Sequence, residues 1–316
     1  MTYRLCALIQ VILLFFLVVS DTRSIAQQVP TGKVQQANVI LGVLEDYPAK
    51  SPDKPDIQFV RAVFERIGSD WRPFPTKTKT YHDLQTLPGS YPKEVTWTLA
   101  FDGRDLGRVT SQTPPHFSSY SEIGMEYITS HDPIPSVGKK SADYAGFFSD
   151  TPVYRPLVAI SQPNFADPNR WKPAQPSPGQ IATTRQQFRS RFPKVTNCRN
   201  PDENVPRPWK YRDEDIQVTR AYSSKDGWSL IELNLTGYAC DGPLGYGDEF
   251  DGQWYVIGPS GEPNFLGADM WLVDAGDYDN SGKSEVLFSI KAYNTGGYRL
   301  FYRDFTRSAE FLFHYD

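Results

Sequence analysis

The chain has 316 residues, of which 33 are Lys or Arg and 37 are Asp or Glu, for a net charge of −4. A mildly acidic balance without basic runs argues against nucleic acid or an anionic membrane surface as a partner, and it suits a divalent cation. Aromatic residues make up 14% of the chain, with 26 Pro and 23 Gly, a mix that favours half-buried sheets and frequent turns over a helical bundle or a βαβ alternation.

Arg4 precedes an apolar run, Leu5 to Val19, broken only by Gln10. That run is short for a membrane span of about 20 residues. Ser24 and Ala26 put small residues where a signal peptidase reads. The pattern predicts a signal peptide over residues 1–26 with cleavage before Gln27, a cut after Ser20 being the alternative. An exported protein follows, periplasmic or extracellular, without stable membrane insertion. Removing residues 1–26 takes away Arg4, Arg23 and Asp21 and leaves a net charge of −5. Residues 27–36 read as a polar, disordered leader, and 37–316 as a single β-rich domain.

Val39 to Leu44 reads as a first buried strand. Ile57 to Trp71 fits two periods at once: Val60, Phe64 and Ile67 share a helical face, yet Gly68-Ser69-Asp70 looks like a hairpin turn leading into Trp71. The turn favours a strand. Hairpins follow. Val95 to Phe101 meets Leu106 to Thr110 across Asp102-Gly103, and Ile216 to Tyr222 meets Trp228 to Leu235 across Lys225-Asp226-Gly227. Trp254 to Ile257 is bounded by Asp251-Gly252 and Pro259-Ser260-Gly261, and Asn294-Thr295-Gly296-Gly297 separates Val286 to Ala292 from Tyr298 to Phe305. Such turns supply the positive φ that matches the twist of paired strands. Residues 111–180, dense in Pro and Ser, read as long loops around Pro156 to Ile160. Ile181 to Phe192 is the one helix, with Ile181, Phe188 and Phe192 on a common face and Pro193 ending it. The fold class is therefore all-β, a meander of antiparallel hairpins with one short helix near 181–192. The spacing suits a β-propeller of five irregular blades, and two β-sandwiches are the alternative.

Export leaves two cysteines, Cys198 and Cys240. In an oxidising compartment an even count predicts one disulfide. On the chain-entropy argument, closing the loop of about 43 residues between them stabilises the fold by roughly 4 kcal/mol.

The sharpest chemical signal is Gly276-Asp277-Tyr278-Asp279-Asn280-Ser281-Gly282-Lys283-Ser284-Glu285, followed by the apolar run Val286-Leu287-Phe288. Counted from Asp277, oxygen side chains stand at positions one, three, five and nine: Asp277, Asp279, Ser281 and Glu285. Gly282 permits a sharp turn and the Lys283 carbonyl would face the same centre. Calcium takes about six to eight oxygens, which alternate residues of a tight loop provide, and three crowded carboxylates make sense around a cation. Position twelve, where an EF-hand carries a bidentate Glu, is Phe288. The loop instead resembles those of FG-GAP and VCBS-type repeats in integrin-like β-propellers, where a Gly-Asp-x-Asp-x-Asp-Gly-x-x-Asp loop runs into a strand. Gly276, Asp277, Asp279, Gly282 and the acid Glu285 match that pattern, and Ser281 replaces the usual Asp. The resemblance covers about one repeat and implies a structural Ca²⁺ in a propeller-like blade.

Nothing else has comparable spacing. His82, His116, His131 and His314 are scattered, without the paired arrangement of a zinc site. Asp248, Glu249 and Asp251 beside Trp254 are the nearest approach to a glycosidase pair, whose carboxylates need no proximity in sequence. Among the seven tryptophans, Trp171 and Trp209 lie in Pro-rich loops and are the expected exposed ones. Two functions follow. One is an exported, calcium-binding β-protein with a non-catalytic role towards a protein or glycan partner. The other is an extracellular hydrolase acting on carbohydrate.

Overall fold

The computed structural model describes residues 38–47, 57–74, 85–87, 89, 91–118, 120–131, 134, 155–197, 207–236, 252–292 and 294–314. In its N-terminal half the apolar runs become β1 (Ile40–Tyr47), β2 (Ile57–Ile67), β3 (Asp70–Pro73), β4 (Gln85–Thr86), β5 (Glu94–Phe101), β6 (Arg104–Gln112), β7 (His116–Phe117), β8 (Met125–Ile128) and β9 (Leu157–Ile160). Antiparallel pairings run β1–β9–β5–β6–β8–β2 and return from β2 to β1, which closes a ring of six strands. β3 extends the same edge of β2 that holds β8, and β4 pairs separately with β7.

Ile57 to Trp71 is thus two strands and a Gly68-Ser69 turn. Phe59 to Phe64 is buried at every position, Arg61 included. A strand covered on both faces shows no alternation, which is why its sequence fits a helix equally well. Residues 111–180, read as loops, contribute β7, β8 and β9; β9 is the strand that joins β1 to β5. Strands of two to four residues are too short to show a period.

The second half begins with β10 (Lys172–Pro173), α1 (Pro178–Arg191), β11 (Val195–Asn197) and β12 (Arg207–Trp209), the last two pairing with each other. β13 (Ile216–Ser223), β14 (Ser229–Leu235), β15 (Gln253–Ile257) and β16 (Pro263–Gly267) then form a meander, with β10 on its outer edge. α1 starts three residues before the predicted point because Ser177 and Gln180 form a capping box. The Ser177 hydroxyl accepts from the Gln180 N–H at 3.2 Å, and the Gln180 side-chain Oε1 accepts from the Ser177 N–H at 2.9 Å. Phe188 of α1 packs with Ile216, Ile231, Leu233 and Tyr255 on one face of this sheet.

β17 (Met270–Gly276), β18 (Glu285–Ala292), β19 (Thr295–Tyr302) and β20 (Arg307–His314) form a second meander. Val286, Phe288 and Phe301 on one face meet Leu230, Trp254 and Val256 of the preceding sheet. Leu287, Leu300 and Phe311 on the other face join the core of the ring. The C-terminal sheet therefore lies between the ring and the middle sheet, with both its faces covered.

The architecture is all-β with one α-helix among the described residues. Five blades is not the pairing observed, because β1, β2, β5, β6, β8 and β9 close on each other instead of forming four-stranded units. Nor do the described residues form two sandwiches: the two meanders make one sheet-on-sheet pair, and the ring takes the place of the other. The Asn294 to Gly297 turn is also shorter than expected, with Gly296 and Gly297 inside β19. A Cβ on Gly297 would come within 2.2 Å of the Phe311 carbonyl, so this glycine serves a close strand approach.

Candidate metal centre

The segment joining β17 to β18 is a closed loop whose base is the Gly276–Glu285 pair. Asn280 at φ 56° and Gly282 at φ 83° turn the chain through the left-handed region, which Gly adopts at no steric cost and Asn tolerates. The turn brings Asp277, Asp279 and Glu285 together, with ligand oxygens all within 4.8 Å of one another. Asp277 and Asp279 are half-buried, whereas Glu285 is 4% exposed.

Backbone donors hold these carboxylates in place. The Ser281 N–H donates to Asp277 Oδ1 at 2.8 Å and to Asp279 Oδ1 at 3.0 Å. The Gly282 N–H donates to Asp277 Oδ2 at 2.7 Å, and the Tyr278 N–H to Glu285 Oε2 at 2.7 Å. Of the other expected ligands, Ser281 brings its hydroxyl to 3.5 Å from Asp277 Oδ1. Lys283 directs its ammonium to Asp304.

Burial pushes the Glu285 carboxyl well above the usual carboxylate range, and the charges of Asp279 and Asp277 push the same way against the Tyr278 N–H. Burial also raises Asp277, opposed by the Gly282 and Ser281 N–H groups and reinforced by Asp279. Among the described residues one ion pair reaches the three acids: Arg66 Nη2 lies 2.8 Å from Asp279 Oδ2. Hard oxygen donors crowded on a tight loop are the donor set that Ca²⁺ takes.

The loop is braced from the segment after β9. Phe165 stacks on the fully buried Tyr278, with centroids 5.9 Å apart and planes 17° apart. The Asp277 N–H donates to the Ala166 carbonyl at 2.9 Å. At the other end of the loop the Ser284 N–H donates to Asn169 Oδ1 at 2.8 Å and the Ser284 hydroxyl to Asp167, whose Oδ2 also accepts from the Trp171 N–H at 2.6 Å. Gly276 makes room for this brace, since a Cβ there would lie 2.2 Å from Phe165 Cε2. Gly276→Ala should accordingly destabilise the fold by about 1–3 kcal/mol through overpacking. Chemical denaturation checks it, and a change below about 0.5 kcal/mol would mean that Phe165 moves aside freely.

Arg66, Asp167, Asn169 and Phe165 had no signal in the sequence. They lie far from the loop along the chain, and the ring and the middle segment carry them to it. Cys198, Cys240, Asp248, Glu249 and Asp251 lie outside the described residues, as do 1–26 and 27–36. Trp171 and Trp209 are half-buried, not exposed: Trp171 packs edge-on to Phe305 at 6.0 Å and Trp209 to Tyr211 at 6.0 Å. Aromatic neighbours cover them, Phe305 from a distant segment and Tyr211 from two residues on, which Pro-rich sequence does not reveal. No described helix is long and apolar enough to cross a membrane. Comparison of the chain with protein families, curated proteins and solved structures finds no match.

Proposed function

We propose that this is an exported β-protein whose β17–β18 loop binds one structural Ca²⁺, with a non-catalytic role in binding a protein or glycan partner. The observation that carries the reading is the convergence of Asp277, Asp279 and Glu285 to within 4.8 Å on a loop closed at its base by a strand pair. Three carboxylates fall short of the roughly six to eight oxygens that calcium takes. The Ser281 hydroxyl, the Lys283 carbonyl and water would complete the shell. Export follows from the leader pattern of residues 1–26, and a Cys198–Cys240 bond from cysteine parity in that compartment. For a hydrolase, two carboxylates would have to face an open cleft. Asp274 and Glu285, two acids held in the protonated direction, are 6% and 4% exposed, and that burial suits a structural part better than contact with a polymer.

Thermal unfolding with Ca²⁺ and with chelator, together with calorimetric titration, tests the reading. A ligand that binds only the folded state adds about 2.7 kcal/mol at 100 times Kd. Asp277→Ala should lose most of that gain, and Ser281→Asp should bind Ca²⁺ more tightly. An unchanged midpoint, with no binding heat at millimolar Ca²⁺, leaves only a polar turn.

A further inference from the structure

Arg66 belongs to β2 of the ring, yet its guanidinium reaches the loop of the C-terminal sheet. The Asp279 side chain that it meets is 4% exposed, and the Arg66 side chain 20%. Contact is through Nη2 at 2.8 Å, while Nε is buried without a hydrogen-bond partner and the guanidinium carbon lies 5.9 Å from the Trp71 ring. The arginine is therefore not engaged in the two-pronged carboxylate contact that makes such a pair strongest. It enters from a different sheet, the ring, and not from the loop's own hairpin. What it supplies is positive charge beside three clustered acids.

We propose that Arg66 is the counter-ion of the metal-free loop and competes with Ca²⁺ for Asp279, so that it sets the calcium affinity and links the loop to the ring. This rests on the calcium reading of the loop. A metal ion bound at an Asp279 oxygen, at about 2.3–2.6 Å, brings its two charges close to the guanidinium in a partly buried setting, where repulsion is stronger than in water. Either Arg66 withdraws from Asp279 or it stays and weakens the metal; both lower the affinity. Without metal it offsets the repulsion among the acids and keeps the loop folded. The neighbouring β2–β3 turn has separate ties to the C-terminal sheet. Arg303 Nη2 donates to the Ser69 carbonyl at 2.9 Å, and Arg303 and Arg307 each lie 3.8 Å from Asp70. Movement of Arg66 thus leaves the two sheets joined, and calcium occupancy is felt at the end of β2 without separating them.

Calorimetric Ca²⁺ titration of the mature chain tests this with wild type, Arg66→Gln and Arg66→Lys, each also melted with and without metal. Arg66→Gln should bind about tenfold more tightly, while Arg66→Lys, which keeps the charge, should stay within about threefold of wild type. Without metal Arg66→Gln should melt below wild type, and saturating Ca²⁺ should close the gap. If Arg66→Gln folds only with Ca²⁺ present, the metal is replacing the missing cation, which also supports the role. Equal or weaker binding by Arg66→Gln overturns it, as does equal tightening by Arg66→Lys or failure of Arg66→Gln to fold in either condition. Binding of equal strength in all three leaves the calcium site standing and removes only the part given to Arg66. No binding heat in any of them removes both.

Discussion

Replacing Phe288 by Ala should destabilise the protein by about 3–5 kcal/mol, the range for truncating a buried aromatic side chain. Phe288 has no exposed surface and sits where the two meanders face each other. Its ring is edge-on to Trp254 at 5.0 Å and to Phe301 at 5.7 Å, one neighbour from each sheet. Removing it leaves a void lined by rigid aromatic groups, which collapse poorly, so the cavity contribution adds to the lost transfer energy. Leu312→Ala, on β20 of the same sheet but 43% exposed, is the control and should stay within about 0.5 kcal/mol. Denaturant unfolding of both variants checks the pair. A loss below about 1 kcal/mol for Phe288→Ala would mean that the two sheets do not pack through this residue.

Asp274→Asn should make the protein less sensitive to rising pH. Asp274 sits at the bulge of β17, 6% exposed, with Oδ1 accepting from the Ala275 N–H at 2.8 Å and Oδ2 unpartnered. Burial pushes its carboxyl up to about 7 from 3.8, moderated by Arg155 and the Ala275 N–H and reinforced by Asp102 and Asp167. A folded-state value above the unfolded one means that the folded chain holds a proton that the unfolded chain has lost. The contribution is therefore complete below about pH 4 and disappears as pH rises through about 7. The shift of about three pH units corresponds to about 4 kcal/mol at most. Asn does not titrate, so stability relative to wild type should climb between pH 4 and 8 by up to that amount. Denaturant unfolding of both proteins at pH 4 and pH 8 checks the effect, read as the difference between Asp274→Asn and wild type, in which the other titrating groups are common to both. Parallel pH profiles for the two proteins would show that Asp274 titrates over the same pH range in the fold as in the unfolded chain.

The candidate metal loop was legible because it is local. Asp277, Asp279, Gly282 and Glu285 lie within nine residues of one another, and a tight turn leaves few ways to arrange their side chains, so composition and spacing alone bring the carboxylates together. The hairpins around Asp102-Gly103 and Asp226-Gly227 were readable for the same reason, since turn chemistry sets the pairing of the strands on either side.

Non-local closure was not readable. β9 has only four residues, yet it bonds to β1 on one side and β5 on the other and makes a ring where the spacing implied blades. Which edges pair depends on which faces must be buried, and β2 and β18, covered on both sides, carry no alternation that would say so. Arg66 at the metal loop is the same case, because its position there is decided by the packing of the ring against the C-terminal sheet. Sequence by itself determined the strand-rich character, the turns and the acidic loop, all set by interactions among residues a few positions apart. Only the tertiary structure decided the ring, the stacking order of the sheets and the cation beside Asp279, because each depends on contacts between segments whose separation in sequence leaves no local trace.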